Sequence, residues 1–185
     1  MKFTAKEITL IALFVALITI GSKITIPSPL VPFTLQWFFV ALAGMLLGPK
    51  LAPMSMTVYT ILGLIGLPVF TKGGGISYVF SPTFGYLIGF ILASYIIGKA
   101  VEFMGRDIRF KGVMVAMVVA LFALYSLGAS YMYLISNLYL GKAMMFSEAI
   151  WYGVILFLPT DLVSAIFCSL LSVRIARQVK GIVGN

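Results

Sequence analysis

Charged residues and Gly/Pro clusters cut the chain into six apolar blocks: Ile8–Gly21, Thr34–Gly48, Leu51–Leu67, Gly85–Val101, Val113–Leu138 and Ala149–Val173. A helix needs about 20 mostly apolar residues to cross a bilayer core. The blocks are close to that length, and the composition agrees. The chain is 62% hydrophobic and 10% charged over 185 residues, with a mean hydropathy of +1.13, so its solvent is lipid. The expected fold is an all-α membrane protein, a single domain over residues 1–185 with six transmembrane helices. No A-x-A-like cleavage site follows the first block, so that block reads as a retained span. The first two blocks are short and flank Ile26–Pro32, whose prolines forbid regular helix. They are expected to stop inside the protein, with buried irregular chain completing the depth. Pro53 suits the first turn of the third helix.

An even number of spans puts both termini on one side, and the basic residues choose which. Lys2, Lys6, Lys50, Lys99, Arg106, Arg109, Lys111, Arg174, Arg177 and Lys180 fall on the terminal side, and Lys23, Lys72 and Lys142 on the other. Ten against three makes the termini cytoplasmic. The net charge of +8 is spread singly between apolar blocks, which fits topology and anionic lipid rather than nucleic acid.

Asp161 stands in the last block, two residues after Pro159. A carboxylate at bilayer depth is costly and marks a polar site inside the bundle. The proline frees backbone groups that a cavity can use. The longest non-helical segment, Pro68–Phe84, lies on the outward side and carries Gly73, Gly74 and Gly75 among aromatic and small residues. A long ordered loop of this kind reads as a lid. Gln36 and Asn137 are the other polar side chains that are hard to bury unpaired. Ala5, Thr9, Ala12, Ala16 and Thr19 form a small-residue stripe on the first helix, which fits either packing in the chain's own bundle or docking to a partner membrane protein.

Several functions are excluded or weakened. There is no Walker A motif, no histidine to complete a serine hydrolase pair, and no carboxylate dyad within the blocks. One cysteine, Cys168, without histidine argues against zinc or haem, and no cofactor is expected. The halves show no clear repeat, which weighs against a secondary transporter. What remains is a membrane binding protein, not an enzyme, that draws its energy from partners. A membrane enzyme using Asp161 is the rival from another class, and a purely structural subunit is a third reading.

The segments Ile26-Pro27-Ser28-Pro29-Leu30-Val31-Pro32-Phe33-Thr34-Leu35-Gln36 and Leu42-Ala43-Gly44-Met45-Leu46-Leu47-Gly48-Pro49-Lys50 resemble the BioY family. So do Gly63-Leu64-Ile65-Gly66-Leu67-Pro68-Val69-Phe70, Pro82-Thr83-Phe84-Gly85-Tyr86-Leu87-Ile88-Gly89-Phe90 and Phe157-Leu158-Pro159-Thr160-Asp161-Leu162. BioY proteins are the biotin-binding S components of energy-coupling factor (ECF) vitamin transporters. The resemblance implies the S-component fold, with biotin beneath the outward loops. It also implies partners, one transmembrane coupling subunit and two ATPases, contacted through Ala12 and Ala16. Biotin presents two ureido N–H donors, a ring carbonyl, an apolar ring and a valerate carboxylate. On this reading Asp161 accepts a ureido N–H, and Phe70, Tyr78 and Tyr86 wall the rings. Backbone N–H groups of Gly73, Gly74 and Gly75 reach a ligand oxygen, and Gln36 serves the ring carbonyl or holds the proline loop.

The chain departs from the family pattern at Thr160, Phe84 and Ser164, where the family commonly has glycine, glycine and lysine. Without that lysine, either Lys72 neutralises the ligand carboxylate from the lid, or the carboxylate stays near water, or the ligand is another small apolar carboxylate such as lipoate or a biotin precursor.

Overall fold

In the computed structural model, which describes residues 3–26, 31–105 and 108–183, helix α1 spans Ala5–Lys23 and opens with a capping box. The Thr4 hydroxyl accepts from the Glu7 N–H at 3.2 Å, and the Glu7 carboxylate accepts from the Thr4 N–H at 2.8 Å. Such a cap is worth about 1 kcal/mol to a helix end. The buried face of α1 is Ile11, Phe14, Val15 and Ile18, completed by Gly21 and Ser22. Ala5, Thr9, Ala12 and Ala16 lie on the exposed side, so these small residues do not pack within this chain's bundle.

Two short strands follow, β1 (Thr25–Ile26) and β2 (Phe33–Thr34), paired antiparallel with Thr25 opposite Thr34. The prolines at 27 and 29 lie outside the described residues. Helix α2 covers Gln36–Leu64 but is broken at Gly48, whose φ of 76° and ψ of −175° are open essentially to glycine alone. The second and third apolar blocks are thus two arms of one element. Gln36 begins the first arm beside Gly21 at the end of α1. Lys50 begins the second beside the start of α1, where its ammonium pairs with Glu7 at 3.1 Å. Val69, past the second arm, is back beside Ser22. The chain therefore reverses at Gly48. Pro49, not Pro53, is the proline at the first position of the returning arm, where a missing N–H costs nothing. Gly98 makes the turn possible from the other side: a Cβ there would stand 2.6 Å from the Gly48 carbonyl carbon.

Helix α3 (Phe84–Met104) packs on α2, and α4 (Phe110–Leu138) on α3. The first block also proves longer than its sequence boundaries, since α1 has 19 residues. The last block is not one helix. It runs as α5 (Phe146–Ile150), a wide π turn (Trp151–Ile155) and α6 (Leu158–Val183). Pro159 explains the wide turn. It has no N–H for the carbonyl four residues back, and its ring pushes that carbonyl away. Among the described residues, five helices are long and apolar enough to cross a membrane, counting Phe146–Leu171 as one. Buried side chains form one cluster, yet large apolar residues such as Phe122 (75% exposed) and Phe103 (92%) also cover the outside. Apolar residues all round are what lipid contact requires.

Candidate functional site

Helix ends and loops converge on a small cavity of about 60 Å³. Its floor and walls come from Gln36 and Trp37 on the first turn of α2, from Tyr86, Leu87 and Phe90 on α3, and from Leu124 and Tyr125 on α4. Phe157 and Asp161 close it from the last segment, and Val31, Pro32, Thr34, Thr71, Tyr78 and Thr83 surround it at the loop end.

Its polar groups are few and aimed. Asp161 accepts the Tyr125 hydroxyl proton at Oδ2 over 2.6 Å, and the Trp37 indole N–H donates to the Asp161 backbone carbonyl at 3.3 Å. Next to Trp37 and close to the Tyr59 hydroxyl, the side-chain amide nitrogen of Gln36 is buried with no hydrogen-bond partner among the described residues. A buried donor left unpaired costs about 1–3 kcal/mol, so its place on the wall of a cavity points to a ligand acceptor. Tyr86 is fixed by donating to the carbonyl of Gly153 in the π turn at 2.8 Å. Thr83 donates to the Tyr78 oxygen at 3.0 Å, which leaves the Tyr78 proton to be given elsewhere. Burial holds the Tyr78 phenol above its ordinary ionisation range, so it stays a donor.

The loop over the cavity is ordered from its root. Phe70 and Gly73 exchange backbone hydrogen bonds at 2.9 and 3.1 Å, and the Gly75 N–H bonds the Gly63 carbonyl at 2.7 Å. A short 3-10 turn, Ile76–Phe80, follows. Three side chains converge on two successive carbonyls at the root. Ser22 (2.7 Å) and Tyr59 (3.1 Å) donate to Val69, and Lys23 (2.6 Å) donates to Phe70. At the far end the Tyr131 hydroxyl donates to the Val79 carbonyl, and Phe80 stacks on Tyr139 at 4.3 Å.

The sequence profile of the BioY family matches residues 1–181. The chain belongs to the BioY family. A probable biotin transporter BioY of Lysinibacillus sphaericus is 43% identical over 91% of this chain and 86% of its own length. The biotin transporter BioY of Thermotoga maritima is 36% identical over 89% and 92%. The fold is similar to a 2.1 Å crystal structure of the S-component for biotin from an ECF-type ABC transporter, with a TM-score of 0.80, 26% identity and 96% of each chain covered.

Of the residues that the BioY resemblance singled out, Asp161, Gln36, Tyr78 and Tyr86 stand together on the cavity wall. Phe70 does not line it. It is fully buried behind Tyr78, with ring centroids 4.4 Å apart, and supports that wall from the rear. The N–H groups of Gly73 and Gly75 are spent on protein carbonyls, and Gly74 packs against the Leu67 carbonyl, so this triplet shapes the lid instead of lining the cavity. Lys72 is exposed at the tip of the turn, and Ser164, one helical turn past Asp161, is not part of the cavity lining. Sequence reading missed Tyr125, Trp37, Thr34, Thr71, Thr83 and Phe157. Tyr125 carried a signal: with Leu121, Gly128 and Met132 it falls on the three- and four-residue spacing of the buried α4 face.

Proposed function

We propose that this chain is the biotin-binding S component of an ECF transporter. It holds biotin under the lid and passes it inward through an ATP-driven module. It is a transport subunit of the membrane and does no chemistry. The observation that carries this reading is the pairing of the Asp161 carboxylate with the unpartnered Gln36 amide in one cavity. A cyclic urea offers an N–H donor beside a carbonyl acceptor. Asp161 takes the N–H in a charge-assisted bond, and Gln36 donates to the carbonyl. Tyr86 and Tyr78, with Trp37 and Phe90 beside them, enclose the apolar rings.

The topology we assign is six crossings of the cell membrane by one domain, with both termini cytoplasmic. The reversal at Gly48 supports counting the arms of α2 separately, and the basic-residue bias supports the orientation. The lid then faces outward. The partners are one transmembrane coupling subunit, which meets the exposed Ala12 and Ala16 face of α1, and two ATPases. That face is small-sided and unpacked in this chain, as close helix docking in lipid requires.

The test is equilibrium binding of biotin to the detergent-purified chain, beside Asp161→Asn and with lipoate as a control. Exchanging a charged for a neutral acceptor costs about 1–2 kcal/mol, so Asp161→Asn weakens biotin by about tenfold or more. Lipoate, which lacks the urea, binds far more weakly. A folded sample that prefers lipoate, or an Asp161→Asn variant with unchanged affinity, refutes the assignment.

A further inference from the structure

The charge on the cavity wall is of one sign. Asp161 is the single ionisable acid among its lining residues, and no lysine or arginine is among them. The residues between β1 and β2 that lie outside the described set are Pro27, Ser28, Pro29 and Leu30, and they carry no charge either. Two lysines beside the lid are placed elsewhere: Lys23 is bonded to the Phe70 carbonyl at 2.6 Å, and Lys72 is exposed on the turn.

The cavity also has two ends. Leu124, beside Tyr125, packs on Gly89, whereas Thr83 caps the start of α3. Asp161 and Tyr125 lie at the deep end, on the α4 side, and the loop hydroxyls at the mouth. A ligand carboxylate is repelled from the deep end by Asp161 and faces the hydroxyls of Thr34, Thr71, Tyr78 and Thr83 at the loop end. Hydroxyl donors serve an amide carbonyl as well as a carboxylate oxygen. A buried lysine or arginine would discriminate between the two; these groups do not.

Resting on the biotin reading above, we infer that the site recognises the uncharged bicyclic head and is indifferent to the charge of the tail, so that the chain takes biotin carboxamides as well as free biotin. The substrate class is the ureido-thiophane head with a neutral or anionic short tail. The nearby exposed lysines offer a carboxylate at most what a solvated ion pair is worth, a factor of about five in affinity.

The experiment compares biotin with biotinamide, the primary carboxamide of the same size, on one preparation of the full-length purified chain. Because the two differ by little except charge, their affinity ratio isolates it. The expected ratio is within about fivefold. Biotin binding with a biotinamide loss beyond about fivefold overturns the inference and leaves the biotin assignment standing. Failure of both to bind a folded sample overturns the biotin assignment and this inference with it.

Discussion

Tyr86 is closely boxed by its neighbours, and Gly128→Ala tests what that box is worth. A Cβ at position 128 would meet the Tyr86 ring well inside van der Waals contact, with Cγ at 2.7 Å. The ring cannot easily give way. It is 7% exposed, and its hydroxyl is held at 2.8 Å by the Gly153 carbonyl. Overpacking of a filled interior costs about 1–3 kcal/mol. Pulling the phenol off its carbonyl costs about 1 kcal/mol more. Alanine returns about 1 kcal/mol through its better helix propensity within α4. The net is a loss of about 2 kcal/mol, several degrees in the unfolding midpoint of a chain this size. The displaced ring also intrudes on the ligand, so biotin affinity falls by about tenfold or more. Thermal unfolding in detergent and equilibrium binding read the two effects. The control is Gly128→Ala in a Tyr86→Leu background, where the ring is gone and the alanine is tolerated. An equal penalty in both backgrounds refutes the reasoning, because the cost would then not come from Tyr86.

Three further outcomes are expected. Ser22→Ala and Tyr59→Phe each leave the Val69 carbonyl one donor, but together they leave it none. The double variant therefore loses about 1–3 kcal/mol more than the sum of the singles, and additive unfolding midpoints would contradict a shared role at the lid root. Gly48→Ala has open space around the added Cβ, so it destabilises by backbone strain alone, about 1–3 kcal/mol, and an unfolding midpoint equal to wild type would deny that strain. Ala12→Trp and Ala16→Trp abolish biotin uptake by the assembled transporter while leaving binding by the isolated chain intact; uptake at the normal rate in both would remove the docking assignment.

The apolar blocks, the loop over the cavity and the acid were legible because each is a local violation or a local regularity: charge within lipid, glycine within aromatics, long runs without charge. The Gly48 reversal was legible as a boundary between blocks but not as a fold of the chain on itself, since that depends on Gly98 across the bundle. The π turn was half legible. Pro159 announced a disturbance, but that Tyr86 would claim the Gly153 carbonyl in the wide turn depends on where α3 and α4 stand. The glycine triplet misled for a physical reason. Glycines permit close backbone approach, and here they use it on the chain itself, with Gly75 bonding Gly63. Lys72 misled likewise, because a flexible cation in a lid reaches water more cheaply than a cavity.

Tyr125 shows why a polar pocket in lipid needs its acid twice over. Its side chain lines the cavity on one side and, on the other, an apolar groove between α4 and the last segment that also includes Phe122, Ile150 and Leu158. Among helices in lipid there is no hydrophobic pressure to keep such a seam shut, so packing and interhelical hydrogen bonds must do it. The bond from Tyr125 to Asp161 Oδ2 crosses that seam at 2.6 Å. A carboxylate has two acceptor oxygens, so it can hold the wall with one and a urea N–H with the other. Ligand binding and wall closure then support each other instead of competing. Asparagine puts an NH2 donor in place of one of the two oxygens, so either Tyr125 or the urea N–H then faces a donor. Asp161→Asn is therefore expected to cost more than the exchange of a charged for a neutral acceptor, and Tyr125→Phe, which releases the wall but leaves both oxygens to the ligand, is expected to cost less.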